Sequence, residues 1–360
     1  MNQKGKPKID PSLINKILLI RLRRIGDITM TTPALRVLRK SFPDAHLSYV
    51  VEQPYQNLVE GNPDLDQVYV VPKKQKTKDF LQFCRDLRKN KYDVVLDFHG
   101  GPRASWMTFL TKARLKIGYK IKYRHFIYDI SLPRSPKNGY YHSVENHLNL
   151  VKALGVSVAT APDLFLPSAN EAEIRKISKF IDDQGLADSR RVILHIVAGN
   201  QFRNWGEDNI IKLTTLLSRL PTVKTILIGA EEDKGAAKTI LERGPSGLLS
   251  LVGQLNLREL RELILKASLF VGPDSGPMHI AASTSTPIIA YFGPNLPAYN
   301  SPWKSEFLVV EKKLDCRPCP QRHCLYKDFR CLRTISPEEV FQACCTLLEK
   351  SSKKPEQENA

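Results

Sequence analysis

The sequence predicts an α/β protein of two domains, each an open parallel sheet covered by helices. Three observations predict it: short apolar runs alternate with helical patterns, the alternation is played out twice, and 360 residues suit two ordinary domains. The composition, 42% hydrophobic and 25% charged, excludes wholesale disorder, collagen and a disulfide miniprotein. The expected layout is a polar leader (1–15), a first domain (16–160), a second (161–345) and a disordered tail (346–360). No apolar run approaches the roughly 20 residues that span a bilayer, and no leading stretch suits a signal peptide. A cytoplasmic protein is therefore expected, with cysteines kept as thiols or metal ligands.

Lys16–Leu22 reads as a strand that runs into a basic loop, Arg23-Arg24-Ile25-Gly26-Asp27. Thr31-Thr32-Pro33 then opens a helix through Leu38, with the proline where its missing N–H does no harm. Ala45–Val51 and Gln67–Val71 read as strands, Lys76–Lys89 as a basic amphipathic helix, and Tyr92–Phe98 as a strand ending in His99-Gly100-Gly101. The stretch from Gly155 to Ser189, with Pro162 and Pro167, reads as the interdomain connection.

The second half repeats the grammar. Strand Arg191–Val197 leads to Ala198-Gly199-Asn200, Trp205–Leu220 is helical, and strand Thr222–Ile228 ends at Gly229. Leu257–Ala267 is helical, Leu269–Val271 runs into a Gly-Pro-rich turn, Met278–Ser283 is helical, and Pro287–Phe292 is the last strand expected. Two such sheets facing one another put a ligand cleft between the carboxyl ends of their strands.

Charge is unevenly spread. Of 54 basic and 37 acidic residues, 28 and 13 fall in residues 1–155, against 26 and 24 in the remainder. A basic half joined to a nearly neutral one points to a polyanionic partner: nucleic acid, anionic lipid or a phosphorylated substrate. A merely soluble basic surface is the plain alternative. Against a nucleic-acid-binding protein, no standard recognition motif and no clustered aromatics on a basic face are visible.

Two segments carry chemistry. In Gly272-Pro273-Asp274-Ser275-Gly276-Pro277-Met278-His279 a strand ends, a tight turn follows, and a helix starts near Gly276. Such a turn aims backbone N–H groups at an anion such as a pyrophosphate. Asp274 is placed to accept from sugar hydroxyls and His279 lies one turn further on. An ordinary helix capped by Ser275 is the competing reading. In the first loop, Asp27 stands among Arg21, Arg23 and Arg24, which should hold it ionised as a general base, while Gly26 lets a ligand approach. A surface salt bridge explains the same residues.

Taken together, Ile17–Pro33, Gly272–Ala282 and Phe292-Gly293-Pro294 resemble the ADP-heptose:lipopolysaccharide heptosyltransferases, the family-nine glycosyltransferases of GT-B fold; the resemblance spans residues 16–345 and includes Asp93–Gly100 and Asn146–Gly155. It implies two Rossmann-like domains facing an interdomain cleft, and inverting transfer of a heptose from ADP-heptose to the lipopolysaccharide inner core. It makes Asp27 the catalytic base. Arg203, where the family has a lysine near a tryptophan, would face the donor diphosphate, although arginine is a poor proton donor there. Asp233 would meet the ribose, Leu255 the adenine, and Asp274, Ser275, Gly276, Pro277 and His279 the rest of the donor. Gly26, Arg23, Arg24, His99, Lys120 and Lys122 are the expected acceptor contacts. The densest basic run (Lys112, Arg114, Lys116, Lys120, Lys122, Arg124) is expected to touch acceptor or lipid at the cytoplasmic membrane face. Another nucleotide sugar, or a protein acceptor, is the alternative within the same fold.

No metal is required by this chemistry, since a helix terminus and Arg203 would stabilise the leaving diphosphate. Asp64-Leu65-Asp66 reads as a turn rather than a cation site. Cys316, Cys319, Cys324 and Cys331 have spacing that could hold a structural zinc, with reduced thiols or disulfides formed on isolation as the alternatives, and Cys344-Cys345 reads as helix core.

Overall fold

The apolar runs form two separate all-parallel sheets in a computed structural model that describes residues 10–135 and 139–351. The chain divides into units 1–167 and 168–360, a little beyond the boundary expected at 160. Most of the leader (1–9) and of the expected tail (352–360) lies outside the described residues.

In the first unit the strands are β1 (Lys16–Ile20), β2 (His46–Glu52), β3 (Gln67–Val71), β4 (Val94–Asp97), β5 (Leu115–Tyr119) and β6 (Ile130–Leu132). They are ordered β3-β2-β1-β4-β5-β6. β1 is buried on both faces beyond its first residue, which is why it reads as a continuous apolar run. The helices are α1 (Ile25–Thr29), α2 (Thr32–Ser41), α3 (Thr77–Lys89), α4 (Pro102–Thr111) and α5 (Ser143–Lys152). Leu18, Ile20, Val50 and Val95 pack with Leu87 of α3 and Met107 of α4 on one side of the sheet.

The second unit holds α6 (Glu171–Asp183), β7 (Arg190–His195), α7 (Glu207–Leu217), β8 (Val223–Ile228), α8 (Lys234–Arg243), β9 (Leu249–Ser250) and α9 (Leu257–Leu265). It continues through β10 (Leu269–Pro273), α10 (Gly276–Ala281), β11 (Ile288–Phe292), α11 (Pro297–Asn300), β12 (Phe307–Glu311), α12 (Arg330–Arg333) and α13 (Pro337–Ser351). Its order, β12-β11-β10-β7-β8-β9, is the first unit's order over again, read from the other edge.

Several expectations change. The loop 23–27 turns helical at Ile25, so Asp27 sits in the first turn of α1. The connection 155–189 contains α6, whose Asn170 accepts from the Glu173 N–H while Glu173 accepts from the Asn170 N–H, a reciprocal cap at the helix start. β11 is not the last strand, because β12 adds to its edge. α13 runs to Ser351, so residues 346–351 are helix rather than tail; Cys344 is core and Cys345 half-buried. Gly293, in the Phe-Gly-Pro motif, serves packing: a Cβ there would stand 2.5 Å from Leu332 Cγ.

Candidate functional site

Each sheet reverses its winding between two strands, and open α/β sheets bind ligands at the carboxyl ends of those strands. In the first unit the two strands are β1 and β4. β1 is followed by Arg21, whose side chain is nearly buried and forms an ion pair through Nη2 with Asp27 Oδ2. Arg24, at a left-handed φ of 68°, turns the chain into α1 and brings Asp27 back onto Arg21. The Asp27 side chain remains 37% exposed, and its Oδ1 accepts no hydrogen bond from the described residues. A fixed carboxylate with one oxygen open to a hydroxyl is what a general base requires.

The turn after β4 is held by arginines. Phe98 O accepts from Arg21 Nη1 (2.7 Å), His99 O from Arg134 Nη2 (2.8 Å) and Gly100 O from Arg124 Nη2 (3.2 Å). Asp97, fully buried at the end of β4, accepts from the His99 N–H (2.9 Å), the Gly100 N–H (2.7 Å) and the Tyr128 hydroxyl (2.6 Å). Burial, above all, raises its pKa. Burial, reinforced by Arg21, depresses His99 to about 3, so the imidazole is neutral at pH 7. Its Nδ1 is buried without a hydrogen-bond partner among the described residues. Of the arginines expected around Asp27, only Arg21 pairs with it; Arg23 and Arg24 are exposed. Arg134 and Asp97 were not expected here; Arg124 was expected only as part of the basic run, and Arg21 only as a charge beside Asp27.

In the second unit the reversal lies between β7 and β10. Asp274 ends the β10 segment, 3% exposed, with Oδ2 2.5 Å from Asn295 Nδ2 and 3.3 Å from Arg203 Nη1. Arg203 also donates from Nη1 to Asp274 O (3.1 Å) and from Nε to Gln321 Oε1 (2.9 Å). Its Nη2 has no protein partner among the described residues. Ser275 stands at the N-cap of α10 but does not cap it. Its Oγ lies 3.0 Å from His195 Nδ1, so the capped-helix reading gives way. Burial holds His195 at about 4, hence neutral at pH 7. α10 has six residues, too short for a large dipole; the charge at this turn comes from Arg203. Gly276 and Pro277 form its first turn and His279 is buried within it.

Asp233 follows β8, where its Oδ2 accepts from the Ala230 N–H at 2.7 Å, closing its own turn. Burial raises its pKa, against the Ala230 hydrogen bond. Leu255 is half-buried between β9 and α9. All the expected donor residues of this unit thus lie on segments that follow the carboxyl ends of its strands.

The basic run divides. Lys116 belongs to β5 and pairs with Asp129 at 2.8 Å, and Arg114 lies 3.5 Å from Asp93. Lys120 and Lys122 are exposed, Lys122 Nζ lying 5.0 Å from the Tyr123 ring centre. Contrary to the sequence reading, aromatics accompany these charges. Trp106 and Phe109 of α4 form an exposed edge-to-face pair, and Tyr123 and Phe126 are 76% and 68% exposed. Asp64 and Asp66 pair with Arg36 and Arg39, as a structural turn would. Cys316, Cys319, Cys324 and Cys331 are free thiols lining one cavity of about 180 Å³. Among the described residues no group of three or more His, Cys, Asp or Glu is disposed to hold a metal ion, so the zinc expectation finds no support there.

A family model described as glycosyltransferase family 9 (heptosyltransferase) matches residues 80–329. The chain is 28% identical to lipopolysaccharide heptosyltransferase 3 of Escherichia coli K12 across 91% of its own length and 96% of the relative's. Among solved structures it is similar to a family 9 glycosyl transferase from Veillonella parvula, with TM-score 0.84, 24% identity, and coverage of 96% and 100% of the two chains. It is also similar to the E. coli ADP-heptose lps heptosyltransferase II, with TM-score 0.76, 20% identity, and coverage of 94% and 99%. The fold is GT-B, and the chain belongs to glycosyltransferase family 9, the heptosyltransferase family.

Proposed function

We propose that this glycosyltransferase moves a heptose from ADP-heptose to the inner core of lipopolysaccharide with inversion, working at the cytoplasmic face of the inner membrane. The observation that carries the reading is Asp27, pinned through one oxygen by Arg21 with the other open. The acceptor hydroxyl oxygen attacks the anomeric carbon from the face opposite the leaving group and passes its proton to Asp27. The bond between that carbon and the diphosphate oxygen breaks, and its electron pair leaves with ADP. Arg203 stabilises the developing charge through Nη2, which no protein group occupies among the described residues.

His99, neutral and with an Nδ1 that has no partner among the described residues, offers the acceptor a hydrogen bond without adding charge. Arg21, Arg124 and Arg134 make the same strand end favourable for an acceptor carrying phosphates or acidic sugars. Asp233 and Leu255 would meet the ribose and adenine, and Asp274, Ser275, Gly276, Pro277 and His279 the sugar diphosphate. Gly26, Arg23, Arg24, Lys120 and Lys122 complete the acceptor side. The exposed aromatics beside the lysines suit an anionic lipid surface, aromatic rings being favoured at the headgroup level. Among the described residues no helix is long and apolar enough to cross a membrane, so attachment would be peripheral.

Asp27→Asn keeps the shape and loses the base. Transfer should fall by about 10²- to 10⁴-fold while ADP still binds the second unit with its original affinity in calorimetry. Turnover like the parent's removes Asp27 from the mechanism.

A further inference from the structure

The Cys-rich segment has no part in the chemistry above, yet one of its residues reaches into the donor site. Gln321 Oε1 accepts from Arg203 Nε (2.9 Å) and from Asn200 Nδ2 (2.8 Å). Its Nε2 donates to Asn295 Oδ1 at 2.7 Å, and Asn295 Nδ2 in turn holds Asp274 Oδ2. Arg203 closes the circle on Asp274. Four side chains from four separate loops thus make one ring of directed hydrogen bonds.

The segment is fastened where it meets this ring. The Arg317 guanidinium, side chain 3% exposed, donates to Asn295 O (2.6 Å), to Glu311 Oε2 (2.7 Å) and to Lys312 O. The Cys319 N–H donates to Pro294 O at 3.0 Å. Phe202, the neighbour of Arg203, lines the thiol cavity and packs on Phe329 at 5.5 Å between ring centres. Gln321 itself has φ +57°, a left-handed conformation costly for a side-chain-bearing residue and sustained only when surroundings over-determine it.

We infer that Gln321 is a positioning residue for the donor diphosphate, and that the Cys-rich segment is the strap that presents it; this rests on the reading of the second unit as the donor site. An arginine beside a carboxylate tends to close into a two-pronged pair, and an Arg203 so engaged would turn Nη2 as well as Nη1 to the Asp274 carboxylate and away from phosphate. Gln321 prevents this from two sides. It occupies Arg203 Nε, and through Asn295 it holds the Asp274 carboxylate in place, so that Nη1 reaches the Asp274 main-chain oxygen and Nη2 stays available.

The test is calorimetric titration of the full chain with ADP, in the parent, Gln321→Ala, Gln321→Met, Arg203→Ala and Gln321→Ala combined with Arg203→Ala. Methionine keeps the length of glutamine without its polar atoms, which separates hydrogen bonding from packing. Both Gln321 variants should bind ADP about tenfold more weakly, with donor KM raised alike and acceptor KM and melting temperature unchanged. In the Arg203→Ala background Gln321→Ala should cost nothing further, since it acts through Arg203. Parent-like affinity in the Gln321 variants overturns the inference, as do losses that add in the combined variant. A parent chain that binds no ADP overturns the donor reading itself.

Discussion

His195 shows how a strand end fixes the behaviour of one side chain. It closes β7 within 3.0 Å of Ser275 Oγ, and burial holds it at about 4, below its usual 6.5. The unfolded chain therefore takes up the proton first. The stabilising contribution is fully present above pH 6.5 and is lost as pH falls toward 4. Between pH 7 and pH 5 this group costs about 2 kcal/mol of stability. His99 and His147 act in the same direction, and buried Asp97, with its raised pKa, in the opposite one. Urea unfolding at the two pH values should show the loss, and His195→Asn should flatten it by about that amount; an unchanged difference would clear His195. At this scale the sequence was legible where a polar residue follows an apolar run, as with Asp27, Arg203 and Asp274. Arg21 was read as a charge beside Asp27, whereas Asn295 and Gln321 escaped because their roles lie in partners. Arg203 and Gln321 are 118 positions apart, and no local pattern announces such a pair.

At the scale of elements, β5 was hidden by its charges. Leu115, Ile117 and Tyr119 are buried, but Lys112, Arg114, Lys116 and Lys120 interleave with them and read as a basic run. α6 was passed over although Asn170 and Glu173 spell a helix start. The strand also supports the proposed acceptor side. A Cβ on Gly118 would stand 2.7 Å from Tyr128 Cδ1 and 2.8 Å from Cζ, so only glycine lets that ring lie on β5. Tyr128 donates to Asp97, and Asp97 shapes the turn carrying His99. Gly118→Ala should thus lower stability by about 1–3 kcal/mol through overpacking and raise acceptor KM. ADP affinity, which the proposed function gives to the second unit, should stay constant. An unshifted urea midpoint would mean that the ring moves aside at no cost.

Over the whole molecule, one topology occurs twice with different surfaces. The duplicated alternation of strand and helix could be read from sequence because buried parallel strands are near-continuous apolar runs; the strand order itself comes from the structure. The partner of the basic half could not, because exposure decides it and sequence does not report exposure. Lys116 and Arg114 are neutralised within the fold, while Lys120, Lys122, Tyr123 and Phe126 stand in solvent with Trp106 and Phe109 on nearby α4. Basic side chains contribute about 1 kcal/mol each near an anionic membrane, and that share is screened as the Debye length shrinks from about 10 Å at 0.1 M salt to about 3 Å at 1 M. The aromatic share is not screened. The chain should therefore sediment with vesicles containing anionic lipid and be largely released by 1 M salt. Lys120→Glu with Lys122→Glu should weaken binding mainly at low salt, whereas Trp106→Ala with Phe126→Ala should weaken it at every salt concentration, ADP affinity remaining constant in both. Equal binding to uncharged vesicles would remove the lysines' charge from the reading, and no binding to charged ones would show that this face meets something other than lipid.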